Sequence, residues 1–81
     1  MVDNMANMLV ELYSNLGVDD RRDAKALAIN SLQAIFVMKY RQSAVDTKLN
    51  QYSINNYGMS LGDAVKIGLS YRVASKGTAC Q

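Results

Sequence analysis

The sequence predicts an all-α fold, a small bundle of three to four helices forming one domain over residues 1–81. Three observations carry that expectation. Apolar residues recur at three- and four-residue spacing in three separate stretches, the period of a helix with one buried face. The chain has no proline, and its five glycines fall mostly where helices would stop. A hydrophobic fraction of 49% argues against disorder, and a charged fraction of 20% argues against a charged tail or arm. At 81 residues the domain sits near the lower size limit for a core that is stable alone.

The first helix is expected over residues 4–16, NMANMLVELYSNL, with Met5, Met8, Leu9, Leu12 and Leu16 at helical spacing. Asp3 or Asn4 can cap its start, and Gly17 can end it in a left-handed conformation. Residues 17–29, GVDDRRDAKALAI, fit either a loop or a helix already under way from Asp19 or Asp20. Residues 30–43 carry a strong helical pattern, with Leu32, Ile35, Val37, Met38 and Phe36 on a wide apolar face. Asn30 or Ser31 would be its N-cap, and Lys39 and Arg41 would suit the dipole at its C-terminal end. Residues 44–59 lose the pattern and read as loop or a single helical turn, pinned by Leu49, Ile54 and Tyr57. A last helix spans 60–74, with Ser60 as N-cap, Asp63 at the third helical position, and Leu61, Ala64, Val65, Gly68 and Leu69 facing the core. The helical core is thus 4–74, and the tail 75–81 is expected to fray.

The charge balance excludes several functions. The net charge is +2, short of the dense basic footprint of a strong nucleic-acid binder. Five of the seven acids lie in the first 23 residues, while seven bases and two acids follow from Lys25 onward. Such a gradient can steer a partner. Histidine is absent, which removes His-dependent metal sites and His general bases. The single cysteine, Cys80, allows no internal disulfide and reads as an incidental free thiol, so a reducing, cytoplasmic setting is expected. Asp19, Asp20 and Asp23 lack the spacing of a calcium loop and read as a solvated acidic turn; no metal site is expected. The Met5, Met8, Met38 and Met59 side chains read as core filling. No signal peptide is evident, and the apolar run at 26–38 is too short to span a bilayer. An independent enzyme is not expected.

The run LAINSLQAIFV, residues 27–37, is the most apolar in the chain, yet it holds Asn30 and Ser31. The plain reading is a helix cap, worth ~1 kcal/mol. The helical order and LAINSLQAI together also resemble the acyl and peptidyl carrier protein family. ELYSNLGVDD resembles the end of that family's first helix. SLQAI places Ser31 on the serine of its Gly-x-Asp-Ser-Leu turn at the start of helix two, though Ala28 stands where glycine is usual and Asn30 where aspartate or histidine is usual. INNYGM matches the short third helix and its preceding turn, and SLGDAV the approach to the last helix.

The resemblance implies a covalent 4'-phosphopantetheine arm on Ser31, with Asn30 and Leu32 beside it and Phe36, Lys39 and Arg41 as a partner surface. Its partners would be a phosphopantetheinyl transferase and the enzymes of a fatty-acid, polyketide or nonribosomal-peptide pathway. Such a carrier is a cytoplasmic monomer that neither enters membranes nor binds nucleic acid. A phosphate at a helix N-terminus is favoured by free N–H groups and the dipole. A second reading is a small helical adaptor or DNA-binding regulator with no covalent arm, using the amphipathic stretch with Lys66 and Arg72. A third is an oligomer or filament subunit using the Met-rich first helix.

Overall fold

The computed structural model describes the backbone of residues 2–79 and the side chains of residues 2–71. Within them lie four helices and no strand: α1 (Val2–Asn15), α2 (Arg21–Val37), α3 (Gln42–Tyr57) and α4 (Leu61–Ala79). The helix ends follow local chemistry. Gly17, at φ 105°, closes α1 with a Schellman pair, Gly17 N–H to the Ser14 carbonyl and Val18 N–H to the Tyr13 carbonyl. Asp20 caps α2, its carboxylate accepting the Arg22 N–H at 2.9 Å, and Asp23 adds a second acid to the first turn. Gly58, at φ 69°, ends α3. Ser60 Oγ accepts the Asp63 N–H, and Asn50 of α3 accepts the Leu61 N–H at 2.8 Å, so two otherwise free donors of α4 are satisfied.

Two expectations of local structure fail. The second helix starts at Arg21, so Asn30 and Ser31 lie inside it and cap nothing. Of the two alternatives for residues 17–29, the helix under way from Asp20 is the one present; its exposed side is charged, and its inner side is marked only by the fully buried Ala24, Ala26 and Ala28, which carry little apolar surface. Residues 44–57 belong to α3, a full helix rather than a loop with one turn, and Gly58 and Met59 follow it. Its core contribution is a narrow row, Val45, Leu49 and Ser53, at four-residue spacing, while Ile54 points to solvent. Lys39 and Arg41 therefore lie in the turn between α2 and α3, beyond the end of α2. The last helix continues past Ala74 to Ala79, through most of the tail expected to fray; Cys80 and the side chain of Arg72 lie outside the described residues.

Helix α2 is the axis of the fold. It packs against all three other helices, whereas the backbone of α1 comes close to α2 alone and reaches α3 by side chains, Asp3 lying beside Tyr52. Ala24 and Ala28, one turn apart, meet Val10 of α1. Ala26, Ile29 and Leu32 face the main core with Ala6, Val45, Leu49, Met59, Leu61 and Ala64. Small side chains let the helix axes approach closely, and the buried Ile29 and Leu32 fill the centre.

Three polar side chains of α2 then tie it to its three neighbours. Successive residues turn about 100° around a helix axis, so Asn30, Ser31 and Gln33 point three ways. The Asn30 amide donates to the Ala64 carbonyl of α4 at 2.8 Å. Ser31 Oγ pairs with the Tyr13 hydroxyl of α1 at 2.7 Å. The Gln33 amide donates to Asp46 of α3. Gly68 makes the first of these possible: a methyl group there would overlap the Asn30 amide nitrogen.

Two outcomes test this packing. Gly68→Ala is expected to destabilise by about 1–3 kcal/mol, the cost of overpacking, despite the better helix propensity of alanine. In an Asn30→Ala background the same change should cost far less, and chemical denaturation of the four proteins of the cycle measures the coupling. Ser53→Ala should stabilise by ~1 kcal/mol, because the Ser53 hydroxyl is fully buried and has no hydrogen-bond partner. A rise of several degrees in Tm is the corresponding thermal readout.

Candidate functional site

The sides of α2 left uncovered between its neighbours define the surface available for binding. Helices α1 and α4 flank α2 without touching each other among the described residues, and a cleft of about 640 Å³ opens between them. Its floor is the face of α2 carrying Leu27, Ser31, Ala34 and Val37, at four- and three-residue spacing. Val65, Gly68 and Leu69 of α4 form one wall, and Tyr13 and Val18 close the other side. Small side chains at 31 and 34 keep the space open.

The polar groups of the cleft are hydroxyls and amides. Tyr13 and Ser31 share a single hydrogen bond across the α1–α2 junction. The amides of Asn30 and Gln33 are held by Ala64 and Asp46, while Gln42 sits at the α3 end. Tyr71 donates its phenol to Asp23 at 2.6 Å, and that carboxylate pushes the Tyr71 pKa up to about 12. No charged side chain lines the cleft among the described residues.

The residues singled out by sequence are separated by this arrangement. Ser31 and Asn30 both line the cleft, with Ser31 half-buried in the helix interior rather than displayed at a helix start. Leu32, next to them in sequence, points the opposite way and is fully buried in the core. Phe36 is half-buried, packed against the core and edge-on to Tyr40 at 6.4 Å. Lys39 and Arg41 are exposed in the following turn, and Arg41 precedes α3 without capping it. The acids of the first turn of α2 have local roles: Asp20 caps and Asp23 holds Tyr71. Among the described residues no three His, Cys, Asp or Glu side chains gather in a way that would hold a metal ion.

The expected apolar faces of α1 and α2 also need correction. The side of α1 that packs inward carries Ala6, Leu9, Val10 and Tyr13. Met8, Leu12 and Leu16 face outward at 71%, 49% and 71% exposure, and of the four methionines read as core only Met59 is buried there. Met5, Met8 and Leu12 meet the exposed Ile35 of α2 in a trough of about 660 Å³, whose lining is almost wholly apolar. Glu11 stands on its rim, 3.7 Å from Arg21, with both side chains exposed. Excess methionine and leucine in the first helix, more than one buried face can use, was the signal for this surface. Leu69, expected in the core, is half exposed in the cleft wall.

No described helix is long and apolar enough to cross a membrane. Comparison with protein-family models, with curated proteins and with solved structures finds no match to this chain.

Proposed function

We propose that this chain is a non-catalytic helical adaptor that binds a partner protein through the outer face of α1. The observation that carries the reading is the placement of α1, whose backbone lies close to α2 alone and which turns Met8 and Leu12 outward beside Ile35, with Leu16 exposed at its end. A contiguous apolar patch on a small domain marks an interaction surface more often than it marks nothing. Methionine suits such a surface because its unbranched, polarisable chain adapts to the shape of what docks.

Charge selects the partner. Before Arg21 the chain carries Asp3, Glu11, Asp19 and Asp20 and no Lys or Arg. Of these acids Glu11 stands on the rim of the trough, where it would face a cation of the partner. An amphipathic helix with an apolar stripe and Lys or Arg flanks is complementary in both respects.

A carrier reading asks for a serine whose hydroxyl is free at a helix start. In this chain the helix start is at Arg21, and the Ser31 hydroxyl is engaged by Tyr13 inside the helix. The arm-free adaptor is therefore the better-supported reading.

Two experiments test this. Intact mass is expected to stay unchanged after incubation with coenzyme A and a promiscuous phosphopantetheinyl transferase; a gain of one phosphopantetheine group, lost in Ser31→Ala, would restore the carrier. In the second, a fluorescein-labelled synthetic helix of Leu and Lys is titrated with the protein and followed by anisotropy. Binding should weaken by at least about tenfold in Met8→Gln/Leu12→Gln, as lost apolar burial of that size implies. A Leu and Glu helix should not bind. Equal binding of both helices, or no response to the substitutions, would overturn the proposal.

A further inference from the structure

The cleft between α1, α2 and α4 is distinct from the outer face of α1, and its chemistry differs. We infer that it is a binding site for an uncharged, elongated apolar small molecule carrying one carbonyl or hydroxyl oxygen. Three observations lead there.

The first is size and lining. A space of about 640 Å³ lies within the range of small-molecule sites, and its walls at Leu27, Val37, Val65 and Leu69 are aliphatic. The second is charge. No charged side chain of the described residues lines the cleft, and the carboxylates behind its lining, Asp23 and Asp46, are engaged by Tyr71 and Gln33, so an anionic ligand would lose its hydration shell and gain no counter-charge. A neutral ligand avoids that cost.

The third is the hydroxyl pair. Tyr13 and Ser31 face each other at 2.7 Å, and either oxygen can be the donor. The pair has two hydroxyl protons and uses one between its own oxygens. Neither hydroxyl bonds any other described side chain or carbonyl, so one proton is left to donate. An O–H group already accepting a hydrogen bond is a better donor, because the bonds polarise one another. A ligand oxygen placed at the Tyr13–Ser31 junction, with its apolar body along Leu27, Ala34 and Val37, would satisfy that donor and cover the aliphatic floor. The same pair that ties α1 to α2 thus doubles as the polar end of the site.

The test uses the intact chain and the neutral dye phenylnaphthylamine, whose emission rises in apolar surroundings, with displacement by decanol, methyl decanoate, decanoate and decane. Dye binding should be saturable, and decanol and the ester should displace it better than decane or ionised decanoate. Ala34→Trp, which fills the cleft from its floor, should abolish binding, and Leu69→Trp should do the same from the wall. Circular dichroism confirms that each variant is folded, and either one alone is sufficient. Ser31→Ala should weaken decanol by about fivefold, the loss expected of one hydrogen bond, and leave decane unchanged. No saturable dye binding, displacement by decanoate as strong as by decanol, or full binding in a folded tryptophan variant would overturn the proposal. Loss of dye in Met8→Gln/Leu12→Gln would assign the dye to the α1 trough and overturn it equally.

Discussion

The fold depends on one constraint, that α2 is enclosed on three sides. A helix with a single buried stripe can reserve its other faces for charge. One with neighbours on three sides cannot, and the surface of α2 is written accordingly. Alanines at 24, 26 and 28 alternate around the axis and let α1 and the main core approach from different directions. Ile29 and Leu32 supply the bulk. Asn30, Ser31 and Gln33 then give each neighbour one directed bond. Apolar packing tolerates rotation and sliding of a helix, whereas a hydrogen bond to a particular carbonyl or hydroxyl does not. These three bonds therefore set the azimuth of each helix about α2, while burial supplies most of the stabilisation.

Enclosure by three helices rather than four has a consequence for binding. The uncovered sector of α2 becomes the floor of a cleft between α1 and α4, and the small residues Ser31 and Ala34 leave it open. The outer side of α1 is uncovered for a related reason. With its backbone close to α2 alone, α1 buries one side and leaves Met8, Leu12 and Leu16 in solvent. The two surfaces lie on different sides of the same helix and differ in chemistry. One carries Glu11 on its rim and suits a cationic partner helix; the other carries hydroxyls and amides on aliphatic walls and suits a neutral small molecule.

Much of the fold was legible in the sequence. The all-α class, α1, the end of α1 at Gly17 and the Ser60 cap of α4 follow from local spacing and backbone chemistry, and each is present. The start of α2 and the whole of α3 were not legible for a shared reason. Periodicity detects large apolar side chains, and these segments bury alanines, a serine and a narrow row of aliphatics instead. The Asp20 cap was available as a signal but competed with Asn30 and Ser31, which are equally good capping residues in the abstract. At the candidate site, Asn30 and Ser31 stand out in the sequence as polar residues in an apolar run, and both line the cleft. Their partners, Tyr13 and Ala64, are 18 and 34 residues distant in sequence, and no local pattern announces them.

The sequence by itself determined that this chain is helical, where α1 stops and α4 starts, and that His-based chemistry is impossible, because these depend on residue type and short-range geometry. Only the tertiary structure decided which apolar residues are buried. Met8, Leu12 and Leu16 fit a core stripe as well as any, yet face solvent, since the number of neighbours a helix has is a property of the assembled chain. It decided as well that Asn30 and Ser31 bind other helices rather than cap their own. A polar side chain takes whichever partner the fold brings within reach, and here the fold brings the hydroxyl of Tyr13 and the carbonyl of Ala64.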